Sequence, residues 1–169
     1  MVIVGVKTKT TKDEFPEIRK TLKTFDDVSI QCGVFGEQAW LAAIHEYGCK
    51  IPVTPEMRAY LHRKGLHLKA TTKYITIPER SFLRNGYDEN KDEILAKTGK
   101  LIPSVLDGTL SSTKFYKTTG LLLKSAIQDY AVALDNPKNH PFTVSQKKSA
   151  NPLVDSGDMI GAVDYEVIK

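Results

Sequence analysis

The feature of the sequence that most constrains its fold is a strand that turns sharply into a helix between residues 75 and 84. Ile75 and Ile77 alternate with a polar residue, as the residues of a half-buried strand do. Pro78 has no N–H to donate, so it ends the strand, and it also suits the first turn of a helix. We expect the helix that follows to bury two residues, Phe82 and Leu83, and to expose two others, Arg80 and Arg84.

The rest of the chain alternates between strand and helix patterns and contains no internal repeat. Strand patterns occur at 2–8, 28–35, 74–77 and 163–167, with helical patterns between most of them. Strands separated by helices without a regular βαβ period predict an α+β fold, in which a small antiparallel or mixed sheet packs against helices. A chain of 169 residues fits a single domain, 1–169.

Apolar stripes on two helices predict which of their faces are buried. The first helix follows Gly36 and ends at Gly48, with this buried stripe: Trp40, Ala43, Ile44 and Tyr47. The second begins at Ser111 or Ser112 and stops before Asp135. Its predicted buried residues are Phe115, Thr119, Leu122, Ala126, Tyr130 and Ala133. The longest helical region, which precedes it, contains Gly99 and Pro103 and is expected to kink or break.

Residues 50–73 are predicted to form a projecting arm or hairpin insertion. Thr54 is a good N-cap, Pro55 fits the first turn of a short helix, and Gly65 fits its end. The segment is basic, and its long apolar residues are few. We therefore expect it to lie outside the core and to become ordered against a neighbouring molecule.

Composition limits the functional classes. No apolar run approaches the about 20 residues that span a bilayer, so no membrane association is expected. The net charge of +4 permits an anionic partner without requiring one. Cys32 and Cys49 do not form a disulfide framework, so reduced thiols and synthesis in the cytosol are expected.

No reaction centre stands out. His45 with Cys49, and His62 with His67, have spacings that make a zinc site formally possible. His45, however, is predicted on the helix face opposite Trp40 and Ile44, and Gly48 should unwind the chain before Cys49. Ser156 has no G-x-S-x-G sequence around it. The sequence predicts no catalytic residue, no cofactor and no metal.

The basic arm makes nucleic-acid binding the second hypothesis. It contains cations and an aromatic residue, although its spacing matches no known DNA-binding motif. Nonspecific contact with DNA stays open. The candidates for contact with DNA or with another subunit are Arg58, Tyr60, Arg63, Lys69, Arg80 and Arg84.

Three stretches of the chain resemble motifs of one family. They are Ala42–Gly48 (A-A-I-H-E-Y-G), Ile77–Arg84 (I-P-E-R-S-F-L-R) and Asn151–Gly157 (N-P-L-V-D-S-G), the last followed by the final strand. The chain from about residue 28 onward is similar to the head–tail joining, tail-completion and minor tail proteins of long-tailed bacteriophages, including the virion morphogenesis proteins of Mu-like phages. It departs from their pattern at 158–160, where a basic or polar residue and Leu are common.

The resemblance implies a structural protein of the virion, located at the neck or the head-proximal end of the tail after assembly in the host cytoplasm. It implies a tail-terminator, tail-completion or connector ring, of six copies in many members. The implied partners are further copies of the chain, neighbouring neck, connector, tail-tube or sheath proteins, and DNA in the channel. A nucleic-acid-binding or regulatory module is the alternative, and an enzyme is the third hypothesis.

Overall fold

The computed structural model describes residues 15–26, 28–147 and 149–168. The strand predicted at 2–8 lies outside the described residues. Within the described ranges the helices are α1 (Phe15–Lys23), α2 (Ala39–Tyr47), α3 (Pro55–Arg63), α4 (Phe82–Gly99), α5 (Ile102–Leu106), α6 (Ser112–Ala133), α7 (Pro141–Lys147) and α8 (Asp158–Gly161). The strands are β1 (Ser29–Val34), β2 (Cys49–Pro52), β3 (Tyr74–Ile77) and β4 (Val163–Ile168).

The strands form two antiparallel pairs, which confirms the α+β class and selects the antiparallel alternative. β1 pairs with β4, in a register that runs from Ser29 opposite Ile168 to Val34 opposite Val163. β2 pairs with β3, with Cys49 opposite Ile77 and Pro52 opposite Tyr74. Each pair is a separate two-stranded sheet among the described residues.

The core lies where α6 meets α4 on one side and the β1–β4 sheet on the other. Gly86 lets α4 approach α6 closely, since a Cβ there would lie 3.1 Å from the Cα of Ile127. On the sheet side the ring of Tyr165 lies directly against Gly120 of α6. The buried residues of this core are Ala42, Phe82, Ile127, Ala131, Leu134, Leu153, Met159, Ile160 and Val163.

The predicted buried stripe of α2 is wrong. Trp40 and Tyr47 are each 66% exposed, and the buried positions of the helix are Ala42 and Glu46. α2 turns a small residue and a carboxylate toward α4 and α8, where its contacts lie. A hydrophobic pattern counts both of these as outward residues, so it selects the opposite face.

The predicted face of α6 is rotated by about one residue. The buried positions are Tyr116, Gly120, Ile127 and Ala131. Two of these are small residues, because neighbouring elements approach the helix there, and small residues contribute little to an apolar stripe. The predicted cap is confirmed at Ser111, whose side chain accepts a hydrogen bond from the backbone of Lys114.

The turn between strand and helix is longer than predicted. β3 ends at Ile77 as expected, but α4 begins at Phe82, so Pro78 lies in a connection and not in the first helical turn. Ser81 has a left-handed backbone with φ of 43°. The predicted break in the long helical region is confirmed, because α4 ends at Gly99 and α5 is a separate short helix.

The predicted insertion at 50–73 is the middle of a β-hairpin whose connection contains α3. We call residues 49–77 the arm. Thr54 caps α3 as predicted, its Oγ1 accepting from the backbone N of Met57 at 3.1 Å. No other described element packs extensively against α3. None of the described helices is both long and apolar enough to span a membrane.

Candidate functional site

Glu46, near the end of α2, connects that helix to the start of α4. Its side chain is 2% exposed. The carboxylate accepts from the backbone N of Leu83 at 2.8 Å and of Arg84 at 3.2 Å, two donors that have no partner within the first turn of α4. Glu46 thus caps α4 from a position 36 or more residues away in sequence, and its negative charge complements the positive end of the helix dipole.

Arg84 is half exposed, as expected, but its guanidinium is already bonded. Its Nε lies 2.8 Å from Oε1 of Glu46, and its Nη2 lies 2.7 Å from Oε1 of Glu79. The guanidinium carbon also lies 5.0 Å from the centre of the Tyr47 ring. Glu46 first, and then Glu79, raise the pKa of Arg84. The arrangement fixes the ends of α2, β3 and α4 relative to one another.

The prediction that Arg80 is exposed is wrong, since its exposed fraction is 4%. Arg80 lies in the connection before α4 and not on the helix, and its backbone N donates to the carbonyl of His45 at 2.8 Å. The side chain donates to the carbonyl oxygen of Pro137 at 3.3 Å and to Oδ1 of Asn139 at 3.0 Å. Burial lowers the pKa of Arg80. Its side chain is therefore unavailable to DNA or to another subunit.

His45 is the third residue that bonds the Arg80 side chain. Its Nδ1 lies 3.0 Å from Nη1 of Arg80, so the neutral ring accepts the bond from the guanidinium. Burial, followed by the charges of Arg80 and Lys147, lowers the pKa of His45 to about 4. His45 therefore completes the shell around a buried cation.

The third motif, which begins at Asn151, reaches the same network through Asn139. The amide nitrogen of Asn139 donates to the carbonyl oxygens of Asn151 and Pro152 at 3.3 and 3.4 Å. Lys147 donates to the carbonyl of Asn151 at 2.9 Å. The Asn151 side chain in turn accepts from the backbone N of Leu153 at 2.8 Å and donates to the carbonyl of Val132 at 2.7 Å. The three motif segments therefore meet in one hydrogen-bonded network.

A cleft of about 350 Å³ lies beside this network. Its wall includes His45, Lys147 and Ser156. The Ser156 hydroxyl donates to the carboxylate of Asp158 at 2.6 Å. Among the described residues Ser156 makes no hydrogen bond with His45, so the cleft holds no paired nucleophile and base.

The predicted contact residues of the arm fall into two groups, one bonded within the arm and the other exposed. Arg58 is not available, because its guanidinium donates to the carbonyl oxygens of Leu68, Lys69 and Thr72 at 2.8–3.1 Å and closes the return from α3 to β3. Tyr60 is 52% exposed, and the side chains of Arg63 and Lys69 are also exposed. Three of the six predicted contact residues thus lie on the open surface of the arm.

The formal zinc set does not come together. His62 and His67 meet on the arm, with their Nδ1 atoms 2.7 Å apart. His45 is bonded to Arg80, while Cys49 is a free thiol in β2. Over the described ranges no three metal-binding side chains cluster. Cys32 is also a free thiol, and burial, then Asp164, raise its pKa to about 11.

Sequence reasoning missed Glu46 and the burial of Arg80. The only available signal was the presence of a carboxylate near the end of an otherwise apolar helix, just before Gly48. Gly48 itself is required at this junction, because it has a φ of 68° and a Cβ there would lie 2.8 Å from the backbone of Ile77 and Glu79. Comparisons with protein-family models, with curated proteins and with solved structures find no match to this chain.

Proposed function

We propose that this chain is a structural virion protein of a tailed phage or phage-like particle. It acts at the head–tail neck as a tail-completion or tail-terminator protein or as a connector ring. The observation that supports this proposal most directly is the convergence of three motif segments. Residues 42–48, 77–84 and 151–157 carry the family resemblance. Glu46 and Arg80 bond the first two segments to each other, and the Asn139 side chain links Arg80 to backbone carbonyls of the third.

The contacts at this convergence fit a structural role. The buried Arg80 is bonded to neutral acceptors, Glu46 caps α4, and the polar groups of the motifs hold elements together. Such a network stabilises a shape, because each buried donor or acceptor that lost its partner would cost about 1–3 kcal/mol. On this proposal the motif residues stabilise the fold, and exposed residues elsewhere on the chain make the contacts with other subunits.

The surface contains several large apolar side chains that suit protein–protein contacts. Trp40, Tyr47, Tyr60, Tyr74 and Leu95 are all at least half exposed. Aromatic residues are enriched in the cores of interfaces between proteins. We propose that a cyclic ring, of six copies, buries these side chains against other copies and against neighbouring neck, connector, tail-tube or sheath proteins.

A reconstruction of the assembled particle tests this function. The expected result is density for this chain in a ring around the channel at the head-proximal end of the tail. In a particle made without the chain, heads and tails should accumulate unjoined, or tails should have abnormal length. A single copy off the symmetry axis, or absence of the chain from the purified particle, would contradict the proposal.

A nucleic-acid-binding module is the second candidate, and the open basic surface of the arm favours it. Arg63 and Lys69 are exposed, and α3 contains a single acidic residue, Glu56, that could offset their charge. Fluorescence anisotropy with a labelled DNA duplex would measure binding as salt is raised. Tight binding that is lost in Arg63→Ala and Lys69→Ala, in a chain that never enters a particle, would favour this candidate over the first.

A further inference from the structure

We propose that α3 of one copy of this chain docks on the exposed face of α4 of the next copy. The inference rests on the proposed ring and names the two surfaces that would form it. Each surface combines an exposed apolar side chain with charges of one predominant sign, and the two signs are opposite.

The first surface, which we call the arm face, is formed by Tyr60 and Arg63 of α3 and by Lys64, the residue that caps the end of the helix. These residues are three and four apart, so they share one side of the helix. The Nζ of Lys64 lies 6.0 Å from the centre of the half-exposed Tyr60 ring. Arg63 makes no ion pair within the described chain. Glu56, one turn before Tyr60, is the single acidic residue of α3.

The second surface is a side of α4 formed by Asp88, Glu89, Asp92 and Leu95, which we call the acidic face. Asp88, Asp92 and Leu95 recur at helical spacing, with Glu89 beside Asp92. Leu95 is 65% exposed, although it belongs to the helix that packs most extensively on α6. Of the acids, Asp88 is paired with Lys91. Glu89 and Asp92 have no ion pair with any described residue.

Each face has an exposed apolar side chain that can pack against the other, and the charges around the two side chains are opposite. An exposed apolar side chain with charges around it is the pattern of an interface core with a polar rim. Opposite charges on the two sides orient the encounter and disfavour wrong partners. A second protein chain explains the acidic face better than DNA does, because phosphates would be repelled by its unpaired carboxylates.

The two faces belong to the same chain, yet each is exposed within a single subunit. The arm therefore does not cover its own acidic face, and a second copy is the occupant with the matching surface. A contact between two different patches is head-to-tail, and it leaves one free patch at each end of a pair. Repetition of that contact adds further copies and produces a closed ring when the rotation returns to the start.

Charge reversal tests this contact. One variant carries Arg63→Glu and Lys64→Glu, and the other carries Glu89→Lys and Asp92→Lys. Sedimentation velocity at low salt should show self-association of the wild-type chain that weakens as salt is raised. Each variant alone should associate at least tenfold more weakly. An equimolar mixture should recover wild-type association, because every arm face then meets an acidic face of opposite charge when the two variants alternate.

A matched control reverses two charges elsewhere, Lys114→Glu and Lys117→Glu on the exposed side of α6, and should associate like wild type. Circular dichroism checks that each variant is folded.

A wild-type chain that remains monomeric at high concentration would overturn the docking, as would variants that associate normally or a mixture that fails to recover. A ring in the particle together with any of these results would leave the proposed function standing and remove only this contact. A chain absent from the particle that still shows the recovery would remove the function and keep the contact. Loss of DNA binding in the arm variant with unchanged self-association would assign the arm to nucleic acid.

Discussion

Glu46 is an acidic residue that is almost completely buried, so the fold depends on the hydrogen bonds that its carboxylate accepts. Replacing it with Ala removes the acceptor for two backbone N–H groups at the start of α4 and for Arg84 Nε. We expect Glu46→Ala to lower the free energy of unfolding by about 3 kcal/mol, since two part-buried backbone N–H groups lose their acceptor. Urea denaturation measures this change.

The matched control for Glu46 is Glu93→Ala. Glu93 pairs with Lys97 at 2.7 Å on the exposed side of α4. Water screens an exposed pair at this spacing, so the control should change the unfolding free energy far less than Glu46→Ala does. Equal losses in the two variants would show that the cap at Glu46 stabilises no more than a surface pair.

His45 predicts a pH dependence of stability with a definite sign. Its pKa falls from the ordinary 6.5 to about 4 on folding, chiefly because of burial. The unfolded chain therefore takes up a proton first as the pH falls. The contribution of His45 is present above pH 6.5 and is lost progressively between about pH 6.5 and pH 4. The partial exposure of the ring limits this loss to about 1–2 kcal/mol.

Urea denaturation at pH values from 7.5 down to 4.5 measures the effect of His45 as the difference between the wild type and His45→Asn. Asn keeps an acceptor for Arg80 but does not titrate, so the variant should lose less stability across this range. His140→Asn, at an exposed position, is the control and should follow the wild type. A wild-type slope that His45→Asn leaves unchanged would assign the pH dependence to other groups.

At the scale of elements, the packing of α6 on β4 depends on Gly120. A methyl group there would overlap the ring of Tyr165. We expect Gly120→Ala to lower the unfolding free energy by about 2–3 kcal/mol through overpacking. The double variant with Tyr165→Val should lose less than the sum of the two single changes, because the overlap is then removed. Thermal or urea denaturation of all three variants measures this coupling.

Gly99, the last residue of α4, is the control for Gly120. A Cβ at Gly99 meets no atom within 4 Å, and its φ is not positive. Gly99→Ala should therefore raise stability by about 0.4–1 kcal/mol, the opposite sign from Gly120→Ala. Destabilisation of similar size at both positions would point to helix backbone effects and away from the Tyr165 contact.

The elements also show what a sequence can specify. Alternation and capping located β1, β3 and β4 and the starts of α3 and α6, since each signal lies within a few neighbouring residues. The burial of Arg80 and the role of Glu46 depend on partners 35 or more residues away. A local pattern therefore predicted Arg80 to be exposed and assigned no role to Glu46. The exposure of Tyr60, Arg63 and Lys69 was predictable, because the segment that contains them is basic and has few long apolar residues to bury.

At the scale of the whole molecule, we expect the body to fold without the outer part of the arm, residues 53–73. Pro52 faces Tyr74 across the hairpin, so a two-residue Asn-Gly turn in place of 53–73 would connect them in register. The shortened chain should unfold with a thermal midpoint within about 5 °C of the wild type, because no other element packs extensively on α3. It should also lose self-association. Differential scanning calorimetry and sedimentation measure the two results.

The comparison variant for the arm is Arg58→Ala, which keeps the chain length but releases the return loop from the guanidinium. It should have the wild-type midpoint and faster amide exchange confined to residues 66–73. A shortened chain that is insoluble, or that melts far below the wild type, would mean that the arm is part of the cooperative core, contrary to the single body with a projecting arm that we expect.

The pairing of β1 with β4 joins the first and the last described strands, more than a hundred residues apart. On the ribosome, β1 is made long before its partner exists, so its edges stay open to other chains during synthesis. The polar residues Ser29 and Gln31 on its exposed side disfavour nonspecific association of β1 with neighbouring nascent chains. Closure of so long a loop is slow compared with helix formation. Only a chain that has been synthesised through β4 can close this sheet, so incomplete translation products would be left without it and open to quality control before they could join an assembly.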